Sequence, residues 1–295
     1  VLDFGKVLTA MVTPFARDLS VDFRKAADLA KRLIENGSDG VVVAGTTGEG
    51  PVLSKEEKLE LFETVVGAVG DRAVVVANTG SNSTSDSIAL TKAAEKIGAK
   101  AVMLVAPYYN KPPQEGLYQH FAAIAGETSL PILIYNVPGR TSVNILPETL
   151  VRLSKIANIQ GVKEASGALD QASEIARAAE PGFQILSGDD SLTLPILAVG
   201  GRGIVSVASH VAGKQIRAMV EAYLAGRVAE ARDAHIRLMP LFKACFVTTN
   251  PIPVKAALRL AGFDAGSCRL PLVEAGTKEV EAVRKAMGDL GLLAV

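Results

Sequence analysis

Gly40-Val41-Val42-Val43-Ala44-Gly45-Thr46-Thr47-Gly48-Glu49-Gly50, continuing as Pro51-Val52-Leu53-Ser54-Lys55-Glu56-Glu57, is one copy of a pattern that recurs along the chain. Three consecutive valines read as a short strand buried on both faces. The glycines that follow mark a tight turn. Ser54-x-x-Glu57 is a capping box, in which the serine hydroxyl and the glutamate carboxylate satisfy backbone N–H groups at a helix start. The helix it opens runs to about residue 69. Strand, glycine-rich turn and capped helix make one βα unit.

Working outward, the same rhythm precedes and follows it. A strand is expected over 7–13 and a helix over 22–35, with Asp22 near its start and Gly37 just past its end. Further strands are expected over 73–77, 101–105, 131–135, 159–163, 184–186 and 203–207. Helices are expected between them over 84–97, 114–125, 147–153, 170–179 and 191–199. Eight strand-plus-helix units within about the first 225 residues is the count of a closed (β/α)8 barrel. A doubly wound open sheet stays as the alternative, since strand order is not written in a sequence. From Gly213 onward the periodicity is helical, over 214–225, 228–244, 250–261 and 278–287, with no convincing strand. The expected organisation is a catalytic barrel over 1–225 and a C-terminal helical domain over 226–295.

Composition removes several classes of function. The 31 basic and 31 acidic residues of the 295-residue chain cancel, so no generic attraction to nucleic acid or an acidic membrane is expected. Hydrophobic residues at 48% supply a core and argue against disorder. No apolar run approaches the ~20 residues of a membrane span. The opening Val1-Leu2-Asp3-Phe4-Gly5-Lys6 lacks a signal-peptide layout, and a cytoplasmic location is expected. Cys245 and Cys268 are isolated and read as two reduced thiols. His120, His210 and His235 are scattered, so no metal site is expected.

In a barrel of this type the chemistry sits at the C-terminal ends of the strands. Those ends carry Thr46 and Thr47, Tyr108 and Tyr109, Tyr135, Arg140, Lys163 and Gly188. Lys163 ends the apolar run Ile159-Gln160-Gly161-Val162. Pointing into the barrel mouth, it would be desolvated toward the neutral amine and could form a Schiff base with a carbonyl. Pointing outward, it would be a structural lysine paired with a carboxylate such as Glu164. Tyr135, Tyr109 and Thr46 offer hydroxyls for proton relay, although Tyr135 is equally a core aromatic and Tyr109 a loop-packing one. The glycines around Thr46 and Thr47 allow backbone N–H groups close to a small carboxylate. Arg140 offers two parallel hydrogen bonds to a second carboxylate, or is a plain surface arginine.

Five segments in order resemble the dihydrodipicolinate synthase family, a branch of the pyruvate-dependent aldolases that includes N-acetylneuraminate lyase. They are Gly45-Thr46-Thr47-Gly48-Glu49, Pro107-Tyr108-Tyr109-Asn110-Lys111-Pro112, Tyr135-Asn136-Val137-Pro138-Gly139-Arg140-Thr141, Gly161-Val162-Lys163-Glu164-Ala165 and Leu186-Ser187-Gly188-Asp189-Asp190. The likeness extends to Asn250-Pro251-Ile252-Pro253-Val254-Lys255. The resemblance implies that Lys163 forms an imine with pyruvate and that Tyr135, Thr46 and Tyr109 relay protons. It implies that Tyr109 reaches in from a neighbouring subunit of a homotetramer built from two tight dimers. Thr46 and Thr47 would hold the pyruvate carboxylate, with Gly188 and Val205 lining the same site through their backbones. Arg140 would hold the carboxylate of aspartate β-semialdehyde, the second substrate on the route to diaminopimelate and lysine. No cofactor is implied.

One departure concerns feedback by lysine. Gly50, Lys55 and Lys58 stand where lysine-inhibited members carry serine and histidines. Asn82 and Tyr108 match that site, Asp86 replaces a glutamate, and Pro51 completes the segment. A site with Lys55 in it repels a lysine cation, so weak or absent feedback is expected. Two other functions remain in view: a lyase of the same superfamily acting on a sialic acid or 2-keto-3-deoxy sugar acid, and a catalytically inactive keto-acid sensor. Arg140 speaks against the first, and the presence of Lys163, Tyr135 and Tyr109 against the second.

Overall fold

Residues 1–294 are described in a computed structural model. The strands are β1 (Val7–Ala10), β2 (Gly40–Val43), β3 (Val74–Asn78), β4 (Ala101–Val105), β5 (Ile132–Asn136), β6 (Ile159–Glu164), β7 (Gln184–Ser187) and β8 (Gly203–Ser206). They pair in parallel in sequence order, and β8 pairs back onto β1. The sheet is therefore a closed barrel, and the open doubly wound alternative is excluded. The helices between them are α1 (Phe23–Glu35), α2 (Lys55–Val69), α3 (Thr84–Ile97), α4 (Gln114–Ala125), α5 (Pro138–Thr141), α6 (Pro147–Ser154), α7 (Leu169–Ala178) and α8 (Thr193–Ala198), and α9 (Ser209–Leu224) follows β8. Three more follow, α10 (Val228–Ala244), α11 (Ile252–Leu260) and α12 (Thr277–Gly288). No helix among the described residues is long and apolar enough to cross a membrane.

The period-2 alternation of the strands builds two separate cores. Inward side chains, among them Leu8, Val42, Val76, Met103, Leu133, Leu186 and Val205, fill the barrel. Outward ones, among them Val41, Val75, Ile134, Val162, Ile185 and Ile204, meet the helices. The helices begin where their caps sit. Asp22 accepts from the Lys25 N–H at 2.9 Å, and Ser54 and Glu57 form the full capping box at the start of α2.

Four features depart from the sequence reading by more than a shift of one or two residues. The first strand ends at Ala10 instead of residue 13, because His210 Nε2 accepts the Val12 N–H at 3.1 Å and pulls the chain out of the ladder. The helix expected over 191–199 is split into a 3-10 turn, Asp190–Leu192, and α8, since Asp189 caps the Ser191 N–H at 2.8 Å. α9 starts at Ser209, five residues earlier than expected, and is kinked at Ala212. The short α5 after β5 has no counterpart in the sequence reading; Pro138 at its first position starts it, and Ser142 in a left-handed conformation ends it.

Candidate active site

Among the described residues, all six non-glycine positions with positive φ lie in loops at the C-terminal end of the barrel: Leu19 after β1, Ala44 and Glu49 after β2, Tyr109 and Lys111 after β4, and Ser142 after α5. Backbone held in this sparsely populated region concentrates at functional sites. The loops after β2 and β4, together with α5, surround a cavity of about 310 Å³, at the small end of the range for small-molecule sites. Thr46, Tyr135 and Arg140 line it, together with Gly45, Gly50, Pro51, Lys58, Tyr108 and Thr141.

Lys163, 5% exposed at the end of β6, does not line this cavity itself but stands behind Tyr135, which does. Tyr135 and Lys163 are register partners on β5 and β6, and both face inward. The Lys163 Nζ lies 4.0 Å from the centre of the Tyr135 ring. Glu164 faces the other way. It accepts from the Ser166 N–H at 2.6 Å, Asn136 Nδ2 at 3.2 Å and Gln171 Nε2 at 3.3 Å. The two readings left open for Lys163 thus separate: it points into the barrel and Glu164 away from it.

The next two strand ends wall the amine in. The Gly188 N–H donates to the Glu164 carbonyl at 2.7 Å. A Cβ on Gly188 would stand 2.6 Å from the Ala165 Cβ and 3.2 Å from the Lys163 Cγ, so only glycine fits against this lysine. Val205 is the last inward residue of β8. The tip beyond it is fixed by Asp190, a buried carboxylate that accepts from the Val207 N–H at 2.9 Å, the Ala208 N–H at 3.1 Å and the Ser206 hydroxyl. Burial pushes the Asp190 carboxyl up, and these hydrogen bonds oppose it.

Thr46 and Thr47 divide their duties. Thr46 lines the cavity, while Thr47 is buried and accepts from Asn250 Nδ2 at 2.8 Å. Glu49 in the same loop, 1% exposed at its side chain, pairs with Lys255 at 2.7 Å and accepts from the Arg269 N–H at 2.8 Å. Burial lowers the Lys255 ammonium, and Glu49 works against that. Lys255 Nζ also donates to the Ser267 carbonyl at 2.9 Å. Asn250, Lys255 and Glu49 have no role in the sequence reading. The available signal was Lys255 inside the apolar run Pro253-Val254-Lys255-Ala256-Ala257, where a lysine has to be either solvated or paired.

Two of the expected residues lie at the edge. Arg140 is exposed on α5 and makes a long contact of 3.5 Å to the Asn250 carbonyl. Tyr109 is 90% exposed, with φ of 73°, and does not line the cavity. Within one chain, Thr46 and Tyr135 come together and Tyr109 stands apart. The seven residues of the expected feedback site also divide. Lys55, Lys58, Asn82, Asp86 and Tyr108 line an adjoining cavity of about 290 Å³, whereas Gly50 and Pro51 line the first one. Lys58 and Tyr108 belong to both, and burial lowers the Lys58 ammonium. A Cβ at Gly50 would stand 2.2 Å from the Ala44 carbonyl oxygen, so any side chain at this position needs a different backbone.

The chain matches the model of the dihydrodipicolinate synthetase family over residues 3–289. It is 59% identical over 292 residues to a 4-hydroxy-tetrahydrodipicolinate synthase of Desulforudis audaxviator, covering 99% of both chains. Among solved structures it is similar to dihydrodipicolinate synthase DapA-2 of Bacillus anthracis, with 49% identity, a TM-score of 0.95 and coverage of 98% of this chain and 99% of that one. It is also similar to the enzyme of Cyanidioschyzon merolae with lysine bound, with 48% identity, a TM-score of 0.97 and the same coverage. With its inward lysine set against a tyrosine in a closed barrel, and matched over nearly its whole length, the chain belongs to the dihydrodipicolinate synthetase family.

Proposed function

We propose that the chain condenses pyruvate with L-aspartate β-semialdehyde to give 4-hydroxy-tetrahydrodipicolinate, through a Schiff base on Lys163. The observation that carries this reading is the buried Lys163 amine, 4.0 Å from the centre of the ring of Tyr135, which lines a small cavity.

The amine of Lys163 attacks the keto carbon of pyruvate and forms a carbinolamine. Loss of one water gives the protonated imine, which acts as an electron sink in place of an external cofactor. A proton leaves the methyl carbon, and the resulting enamine attacks the aldehyde carbon of the semialdehyde. The aldehyde oxygen takes up a proton and stays in the product as its hydroxyl. The substrate's own amine then attacks the imine carbon, closes the ring and releases Lys163. Tyr135 and Thr46, with Tyr109 from a neighbouring copy, move the protons. Thr46 and Thr47 hold the pyruvate carboxylate, Gly188 and Val205 line it with backbone, and Arg140 binds the carboxylate of the semialdehyde.

Tyr109, exposed in a single chain, supports an assembly in which tight dimers share active sites and pair into a homotetramer. Residues 1–225 serve as the catalytic barrel and 226–295 as a helical unit that braces its mouth, in a cytoplasmic enzyme. Lysine feedback is weak, because Lys55 and Lys58 bring like charge to the adjoining cavity. Half-inhibition by sub-millimolar lysine would overturn that statement.

The decisive test is a coupled assay with both substrates and an NADPH-dependent reductase reporting product. Turnover that is abolished in Lys163→Ala, together with a borohydride-trapped pyruvate adduct at Lys163, is the expected result. Trapping without turnover on the semialdehyde would move the second substrate to a sugar acid. Neither trapping nor turnover would refute the reading.

A further inference from the structure

The outer face of the β5–β6 tips holds two polar residues that the reaction above does not use. Asn136 is fully buried and Glu164 is 2% exposed. They are register partners one step beyond the pair Tyr135–Lys163. Since side chains alternate across a strand, the outer pair and the inner pair share one stretch of backbone. Whatever fixes the height of Asn136 against Glu164 also fixes that of Tyr135 against Lys163.

The outer pair is fixed from several sides. Asn136 Nδ2 donates to Glu164 Oε2 at 3.2 Å and to Asn144 Oδ1 at 2.8 Å. Gln171 Nε2 donates to the same Glu164 oxygen at 3.3 Å, and the Ser166 N–H to the other at 2.6 Å. Asn136 Oδ1 accepts the Ile145 N–H at 3.0 Å and so closes the turn that carries α5 and Arg140. A carboxylate buried among neutral donors is a costly way to tie two strands, and an apolar pair would serve stability at least as well. What the carboxylate supplies is acceptor capacity for donors on both sides at once, which apolar packing cannot reproduce.

We infer that Glu164 and Asn136 are positioning residues of the Schiff-base reaction. From the outer face they set the approach of the Lys163 amine to the Tyr135 phenol, and through Ile145 they hold the Arg140 turn. This inference rests on the reading of Lys163 as the imine-forming residue.

The test compares Glu164→Gln, Asn136→Asp and the double variant by the rate of borohydride trapping of pyruvate, by kcat and both KM values, and by thermal melting. Each single variant is expected to stay folded and to lose roughly 10- to 100-fold in trapping rate and kcat, as for a small misplacement of reacting groups. KM for pyruvate should change less than about threefold, because the Thr46–Thr47 rim is untouched. The double variant turns the hydrogen bond round, with an amide on β6 donating to a carboxylate on β5, and should recover part of the loss. If Glu164→Gln fails to fold, Gln171→Leu removes one donor instead and should slow trapping by a smaller factor. Folded variants that trap pyruvate at the wild-type rate would overturn the inference. So would losses that follow only the unfolded fraction. Failure of the wild-type protein to trap pyruvate would overturn the Lys163 reading itself, and this inference with it.

Discussion

The two rims of the barrel mouth are built differently. At the β5–β6 rim, Tyr135 and Lys163 are supported by residues of their own and adjacent barrel segments, with the hydrogen bonds of the outer pair made within the barrel. At the β2–β4 rim, Thr47 depends on Asn250, Glu49 on Lys255 and Arg269, and Tyr109 has no place in the cavity at all. The Tyr135–Lys163 pair is complete once the barrel closes, although Arg140 beyond it reaches the Asn250 carbonyl. The second rim needs the helical extension and, in the proposed assembly, another chain. In the proposed reaction the imine-forming lysine thus sits on the rim that the barrel itself supports, while Thr47 and Tyr109 sit where assembly can govern them.

The largest effects should separate the rims by concentration. Tyr135→Phe and Tyr109→Phe are both expected to lower kcat about 100-fold, as members of one proton relay. Only the Tyr109 rim should respond to dilution: the specific activity of the wild-type protein should fall as its oligomers dissociate, followed by sedimentation on the same samples. Activity independent of dilution across dissociation would erase the distinction.

Next in size is the buried pair. Lys255→Met takes the ion-pair partner from buried Glu49, leaving it only the Arg269 N–H, and should cost about 3–5 kcal/mol in chemical denaturation. Adding Glu49→Gln should restore much of that stability without restoring the KM for pyruvate. Full recovery of both would mean that the charge itself has no part in shaping the rim.

Asn250→Ala removes one hydrogen bond to Thr47 and should raise the KM for pyruvate roughly fivefold, corresponding to about 1 kcal/mol. Pyruvate trapping at saturation should persist. A loss confined to the semialdehyde would place Asn250 with Arg140 instead.

One further effect belongs to neither rim. His120 and His210 are buried, and burial lowers both to about 4 from the ordinary 6.5. In His210, Nε2 accepts the Val12 N–H, and Nδ1 lies 2.8 Å from the Val207 carbonyl, as the donor of the neutral ring. As pH falls, the unfolded chain takes up these protons first, so stability is intact above about 6.5 and drains away toward 4. Melting temperature should fall through that window, and less steeply in His120→Gln.

The count of βα units and the capping box of α2 were legible because each is a local pattern. Lys163 and Tyr135 were legible as strand-end residues, but the face that Lys163 takes follows from strand register and stayed open. Asn250 and Lys255 were not legible, because their partners Thr47 and Glu49 lie about 200 residues away and nothing local announces the pairing. α5 escapes a sequence reading for a different reason: four residues carry too little periodicity to register, and only its flanking Pro138 and left-handed Ser142 define it. Glu164 was visible only as a possible partner for Lys163. Its actual service to Asn136 depends on a cross-strand register that no single segment encodes.

The pairing of β1 with β8 has a consequence for how the chain is made. Val7 lies beside Ile204, so the first strand is synthesised long before the strand that completes its ladder. At ordinary translation rates the interval is about 10–40 s, during which the free edge of β1 stays open to any neighbouring nascent chain. Crowding of ribosomes on the message would therefore threaten yield most while the second half of the barrel is still being translated.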